Sequence, residues 1–299
     1  MNAIDVTHLS KVVPVGFFGR PQPLLHDVSF AVAERATVAF VGPNGAGKST
    51  TLRHLIGGSR PTSGTVRVFG KDPALPSVRR AFGYLPDVPA LPPQLTAAEA
   101  LHLHARLTGV ATNDTLLEAV GLSAKTSKAI RTFSKGMQTR LGIALALVGN
   151  PPLLLLDEPM SGLDPIGRRE MRELIRAQHA AGKTIFFSTH VLSDVDTLCD
   201  SVVVIDKGRV LWSGGVSDAL GASRARIIAV PGTTDEGLLQ QFAPTERQGD
   251  QLTILVDVED PFAVVAALRA RGVIVNEVRR QTPRLEDHVL QLLARGNAP

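Results

Sequence analysis

The run Gly42-Pro43-Asn44-Gly45-Ala46-Gly47-Lys48-Ser49-Thr50 has the pattern G-x-x-x-x-G-K-[ST], and its residue types suit phosphate binding. Gly42, Gly45 and Gly47 let the backbone adopt conformations and close approaches that side chains forbid, so successive N–H groups can turn toward one anion. A helix starting near Lys48 adds the positive end of its dipole. Lys48 would reach the β- and γ-phosphates as a point charge, Ser49 would ligate Mg²⁺ through its hydroxyl, and Thr50 would bond the α-phosphate region. The plain alternative is a glycine turn that merely caps a helix. Against it stand the β-prone run Thr37 to Val41 before the loop and the helix-competent stretch Ser49 to Ile56 after it, the context that a phosphate loop requires.

A second cluster is acidic. Asp157 and Glu158 end the apolar run Leu153 to Leu156, which places two carboxylates at the end of a buried strand, where open α/β sheets bind ligands. Asp157 suits Mg²⁺ or its waters, and Glu158 can orient and deprotonate an attacking water. His190 follows the β-prone run Thr184 to Ser188, so its imidazole also leaves a strand end and could hydrogen-bond a γ-phosphate, although a lone histidine is more often structural. Ser134 can N-cap a helix whose apolar residues Met137, Leu141, Ala144, Leu145 and Val148 recur at helical spacing, with Gly136 in its first turn. Such a start is an ordinary helix end as well as a natural anion site. His102 and His104 stand two apart on a predicted helix and do not share a face, so no metal site is read there. Cys199, alone of its type, forms no internal disulfide and reads as a small buried hydrophobe.

The elements needed to position these groups follow from periodicity. Thr37 to Val41, Leu153 to Leu156, Thr184 to Ser188 and Val202 to Ile205 read as buried strands of an α/β core. Between Gly83 and Asn150 strand signals stop, and Thr96 to Leu107, Asn113 to Val120 and Ser134 to Val148 read as helices, a helical insertion over about residues 84–150. After the hairpin-like run Ile205 to Trp212, the small and polar segment Gly214 to Ser223 ends a domain. The expected division is 1–220 and 221–299, the second part holding strands Ala225 to Val230, Gln251 to Asp257 and Val273 to Val278 around a helix Pro261 to Ala270, a small β-α-β unit.

Composition narrows the function classes. At 44% hydrophobic the chain can fill packed cores, yet no apolar run nears the roughly twenty residues that cross a bilayer. The start Met1-Asn2-Ala3-Ile4-Asp5 lacks a basic region followed by an apolar one, so a secretory signal is not expected and the chain is expected to stay in the cytoplasm. A net charge of +4 without a basic tail, and aromatics at 4%, argue against a nucleic-acid partner that stacks bases.

Together these residues resemble the ATP-binding cassette (ABC) ATPases. Gly42 to Thr50 looks like their Walker A motif, Leu153 to Glu158 like Walker B, Ser134 to Gln138 like a variant of the LSGGQ signature and Ser161-Gly162-Leu163-Asp164 like the D-loop. His190 falls at the switch histidine, and order and spacing agree over about residues 1–220. The resemblance implies an α/β fold with a P-loop NTPase ABC core, a RecA-like sheet with a β-subdomain and a helical subdomain, followed by a small α+β C-terminal domain. It also implies a head-to-tail pair, either two copies of this chain or a pseudo-dimer with a related ATPase. ATP with Mg²⁺ would lie between one subunit's Walker A and the other's signature, so that Ser134 and Gly136 act across the seam. Glu158 would then be the base, and His190 would position the γ-phosphate and water. Lys48 and the metal would neutralise developing charge, and Asp164 would link the two sites.

Three positions depart from the family pattern. In Gly83-Tyr84-Leu85-Pro86-Asp87 the Q-loop glutamine is replaced by Asp87, which still offers oxygen to Mg²⁺ but is shorter and charged. The signature carries Lys135, as in bacterial ABC-2 type exporters, adding a cation near the partner's phosphates. For the adenine-stacking aromatic the stretch Val13 to Gly19 offers Phe17 and Phe18, of which Phe18 is the expected one, its plain alternative being a loop phenylalanine packed on the β-subdomain. The tail Pro283-Arg284-Leu285-Glu286-Asp287-His288-Val289-Leu290 resembles the ending of drug- and antibiotic-exporter ATPases. The expected function is a peripheral ATPase at the cytoplasmic face of the cell membrane that drives a separately encoded transmembrane permease, exporting a hydrophobic small molecule or drug. Two other readings are weighed beside it. A soluble remodeller of ribosomes or DNA fits poorly with a single cassette and a short interval between Lys48 and Ser134, and a degenerate nucleotide sensor is motivated only by Asp87.

Overall fold

The structure is a computed structural model that describes residues 1–15, 20–111, 114–122, 128–220, 224–230, 245–248, 251–257, 261–270, 274–281 and 285–296. Phe18 lies outside the described residues. The chain divides into two compact units, Met1–Val216 with Leu292–Pro299, and Ser217–Gln291.

In the first unit three short runs that are buried along their whole length, β3 (Thr37–Val41), β6 (Leu153–Leu156) and β7 (Thr184–Thr189), read as continuous apolar or β-branched sequence because both faces of their sheet are covered. With β5 (Phe82–Leu85), β8 (Ser201–Asp206) and β9 (Arg209–Gly215) they form a six-stranded sheet in the order β5-β6-β7-β3-β8-β9, parallel except for β9. The crossover order brings the ends of β3, β6 and β7 side by side, although they are far apart in sequence.

A separate antiparallel sheet, ordered β2-β1-β4, is made of β1 (Asn2–Val15), β2 (Arg20–Ala33) and β4 (Ser63–Val68). Its β2 alternates buried Val28, Phe30 and Val32 with exposed neighbours, the signature of one covered face. Phe30 meets Phe40 and Phe186 of the larger sheet, ring centroids 5.4–5.5 Å apart in the trio, so aromatic packing joins the two sheets.

Helices α1 (Lys48–Leu55), α2 (Ala97–Thr108), α3 (Thr115–Ala119), α4 (Lys135–Ala146), α5 (Pro165–Ala180) and α6 (Leu192–Leu198) complete the part that concerns the site. The ends of α2 are chemically marked: Thr96 and Glu99 make a reciprocal capping box and Gly109, at φ 66°, stops the helix.

One expectation is corrected. Strand signals do not stop at Gly83, because Phe82–Leu85 is a strand paired with β6, and the helical segment begins only after it. Four half-apolar residues are too short for periodicity to reveal, and the strand exists because α4 packs down on it. A Cβ on Gly83 would lie 1.9 Å from the Ala146 carbonyl oxygen, so the backbone of α4 sits where a side chain would be.

The second unit holds β10 (Arg224–Val230), β11 (Thr245–Gln248), β12 (Gln251–Asp257) and β13 (Ile274–Gln281) in the antiparallel order β11-β12-β10-β13. The helix Pro261–Arg269 joins β12 to β13, which run parallel with β10 between them. The expected β-α-β unit is therefore a split one, extended by the unexpected edge strand β11. A helix Leu285–Gly296 follows, starting within the exporter-like tail. Among the described residues no helix is long and apolar enough to cross a membrane.

Candidate active site

The loop after β3 is built by backbone constraints. Gly42 passes so close to β8 that a Cβ there would lie 2.2 Å from the Ile205 carbonyl oxygen. Gly47, at φ 110°, is the N-cap of α1 in a conformation that a side chain would strain. Ala46 closes the loop, its N–H donating to the Pro43 carbonyl and its carbonyl accepting from the Gly208 N–H at 2.9 Å. Pro43, Asn44 and Gly45 are exposed, while Ser49 and Thr50 are half-buried in the first turn of α1. Lys48 is 6% exposed, and its ammonium donates to the Gly42 and Pro43 carbonyls at 2.7 and 3.2 Å.

Asp157 and Glu158 arrive from β6, two strands away from β3 across β7. The Asp157 N–H donates to the Leu85 carbonyl, so β5 fixes where the acidic pair leaves the sheet. Glu158 then adopts φ 50°, an uncommon state for a residue with a Cβ. One of its oxygens, Oε1, lies 3.2 Å from Lys48 Nζ as an ion pair without hydrogen-bond alignment, and the other, Oε2, is 2.9 Å from His190 Nδ1. His190 itself is exposed, one residue beyond β7.

Asp157 is buried, and its carboxyl is pushed up from the ordinary carboxylate range chiefly by that burial. Hydrogen bonds from Ser188 and Ser49 pull it back down, and the charges of Asp87 and Glu158 push it up further. A buried carboxylate with a hydroxyl partner and two acidic neighbours favours a cation beside it. Among the described residues no three His, Cys, Asp or Glu side chains cluster as a metal site by themselves. One hydroxyl, from Ser49, and one carboxylate, from Asp157, leave the remaining positions to water and phosphate oxygen, which is the pattern Mg²⁺ takes. Asp87 is exposed, beyond β5, where it acts on Asp157 through charge. The Tyr84 phenol of the same segment is pushed up to about 12 by burial and by the Asp157 charge.

Ser134, Gly136 and Asp164 are elsewhere. The Ser134 hydroxyl caps α4 by accepting from the Met137 N–H at 3.3 Å, and Asp164 caps α5 by accepting from the Gly167 N–H at 2.7 Å. Both caps line a cavity of about 470 Å³ together with Lys135 and Arg140. The Lys135 ammonium reaches the Ser161 hydroxyl at 3.5 Å, so the signature run and the D-loop run touch within one chain. Among the described residues no hydrogen bond or ion pair joins Ser134, Gly136 or Asp164 to Gly42–Thr50, Asp157 or Glu158.

Sequence reasoning passed over Ser188. The register pairs Leu156 of β6 with Phe187 of β7, so the next residues along, Asp157 and Ser188, are neighbours across the sheet. Ser188 is fully buried; its Oγ donates to Asp157 Oδ1 at 2.6 Å and accepts from the Glu158 N–H at 2.8 Å. The available signal was its place two residues before His190 on a strand next to the acidic one.

The family profile described as ABC transporter matches residues 25–161, the stretch that runs from β2 through the phosphate loop, the α4 cap and the acidic pair. An ABC transporter ATP-binding protein of Synechocystis sp. is 34% identical over 99% of this chain and 86% of its own length. The chain belongs to the ABC transporter ATPases. Within that family, the bacitracin transport ATP-binding protein BcrA of Bacillus licheniformis is 41% identical over 70% of this chain and 68% of its own. A solved structure of an ATP-binding subunit of an ABC transporter superposes on the cassette with a TM-score of 0.64 at 36% identity, covering 73% of this chain and 91% of the other. The cassette therefore binds and hydrolyses ATP as the ATPase subunit of a transporter whose permease is a separate chain. His190 and Asp164 lie beyond the profile's match, within the stretch that the Synechocystis relative covers.

Proposed function

We propose that two copies of this cassette, or one copy and a related ATPase, enclose Mg·ATP between the Gly42–Thr50 loop of one and Ser134 and Gly136 of the other, and that hydrolysis drives export of a hydrophobic small molecule through a permease at the cytoplasmic face of the membrane. The observation that carries the catalytic part is the carboxylate of Glu158, held between Lys48 and His190 at the end of β6. A triphosphate on the loop competes with Glu158 for Lys48. Once Lys48 turns to the phosphates, Glu158 Oε1 is free to accept a proton from water as the water oxygen attacks the γ-phosphorus, the bond to the β-phosphate oxygen breaks, and ADP and phosphate leave. His190 keeps Glu158 oriented through Oε2 and offers its other ring nitrogen toward the γ-phosphate. Mg²⁺, with Ser49 and Asp157 as its holders and Asp87 as a further oxygen source, supplies neutralisation of charge on the phosphates when bound.

The export reading is supported by the likeness to the bacitracin transport subunit, and the paired arrangement by the separation of the two groups of residues within one chain. Residues 1–220 serve in this reading as the nucleotide-binding domain and 221–299 as an accessory domain. Action on ribosomes or DNA is not favoured, since the relatives named are transporter subunits. The test is Glu158→Gln, which keeps size and polarity but not basicity. Turnover should fall by about 100-fold or more while ATP stays bound. Unchanged turnover would refute the base, and capture of ribosomes rather than a membrane permease from a detergent extract would refute the transport coupling.

A further inference from the structure

Ser188 has no role in the scheme above, yet among the described residues its side chain hydrogen-bonds both members of the acidic pair. A hydroxyl has one proton to donate and two lone pairs to accept with. Here the proton is committed to Asp157 Oδ1 at 2.6 Å and a lone pair to the Glu158 N–H at 2.8 Å, in a place with no solvent access. Water cannot substitute for either bond.

The two bonds have separate consequences. The first fixes the rotation of the Asp157 carboxylate, which decides which oxygen faces Ser49 and the loop. The second holds the peptide N–H of a residue in the left-handed region, and a non-glycine backbone persists there only when its surroundings over-determine it. That φ of 50° is what swings the Glu158 side chain off the line of β6 toward Lys48 and His190. Ser188 and His190 stand two apart at the end of β7, so one strand end grips the backbone of Glu158 and its carboxylate together.

We infer that Ser188 is a positioning residue of the hydrolytic site: its hydroxyl sets the aim of the metal-side carboxylate of Asp157 and of the basic carboxylate of Glu158 at once. This rests on the reading of Glu158 as the base. A plain filler at a sheet end would share the burial but would leave chemistry untouched when its hydroxyl is removed.

The experiment uses the full chain with Mg²⁺ and ATP. In Ser188→Ala, kcat should fall about 10- to 100-fold and the Mg²⁺ concentration for half-maximal turnover should rise several-fold, as for loss of an outer-shell partner, while affinity for ATP measured without metal stays within about twofold. Ser188→Thr, which returns the hydroxyl, should recover most of kcat and the original Mg²⁺ requirement. Both are corrected for folded fraction by thermal melting, so that a loss of fold is not read as a loss of chemistry. An Ala variant with wild-type kcat and Mg²⁺ midpoint overturns the inference, as does a loss that the folded fraction accounts for entirely. Glu158→Gln separates the two readings: if it is inactive while Ser188→Ala is unaffected, only the role of Ser188 fails; if it is fully active, the base assignment fails first.

Discussion

The two groups of candidate residues in this cassette are built in opposite ways. Around Lys48, Asp157, Glu158 and Ser188 every charged group is partnered, three of the four residues are among the buried polar side chains of the described residues, and neighbouring strands of one sheet set the distances. Around Ser134, Lys135 and Asp164 the side chains are exposed, each hydroxyl or carboxylate is occupied only with capping its own helix, and the cavity between the caps is open. The first group is preorganised within one chain, whereas the second is an open surface that, in the proposed reading, meets its ligand from a partner's site.

Several substitutions would sharpen or break that contrast. The largest effect is expected for Lys48→Ala, which removes the cation that faces the phosphates in the proposed reading and leaves the half-buried Glu158 with His190 as its partner. ATP affinity should drop about 100-fold or more by fluorescent-nucleotide titration, and retention of affinity would mean that the loop backbone suffices. Next comes Ser134→Ala: turnover should fall about tenfold or more while nucleotide binding to the isolated chain is unchanged, as expected of a group that works across a seam. A fall in single-chain binding would put Ser134 in the first group after all.

A third change tests the connection between the groups. Arg168, Arg172 and Arg176, spaced four apart on α5, all reach α6: Arg172 Nε donates to Asp194 Oδ1 at 2.9 Å, Arg168 lies 3.8 Å from Oδ2, and Arg176 donates to the Thr197 carbonyl at 3.1 Å. Since Asp164 caps the start of α5 and α6 starts just past His190, this ladder ties one group to the other. Asp194 is fully buried but its arginines are about a third exposed, so Asp194→Ala should cost roughly 1–3 kcal/mol in urea unfolding, less than for a wholly buried pair. No loss of stability would show that the ladder is ornamental.

The smallest effect concerns acid. His54 of α1, whose Nδ1–H donates to the Thr50 carbonyl at 2.8 Å, has its pKa lowered by burial first, with that backbone bond opposing. A folded pKa below the unfolded value of about 6.5 means that the unfolded chain binds the proton more readily, so stability present above that value is lost as pH falls through and below it. His54→Gln should flatten the decline of the urea midpoint between pH 7.5 and 5.5. An unchanged slope would show that His54 has no part in the acid sensitivity of folding.

Much of the architecture was legible because its causes are local. Buried parallel strands announce themselves as apolar runs, and the phosphate loop is a short stretch whose glycines are each needed by the backbone. Periodicity also marked α2 and α4, with ends displaced by a residue or two where capping decided them. What escaped had causes distant in the chain. Strand β5 depends on α4 resting against Gly83, the split of the small β-α-β unit on β10 entering between β12 and β13, and Ser188 on a register between strands that the sequence separates by an entire helix.

Residue types and spacing by themselves therefore determined which chemically capable groups this protein carries: an ammonium and hydroxyls in one loop, two carboxylates at one strand end, an imidazole at another. Only the tertiary structure decided how they meet. Strand order and register put Glu158 between Lys48 and His190 and laid Ser188 under the acidic pair, while the caps of α4 and α5 were left facing outward. The reason is that donor chemistry resides in the side chain itself, whereas distance and direction between side chains belong to hydrogen-bonded neighbours far away along the backbone.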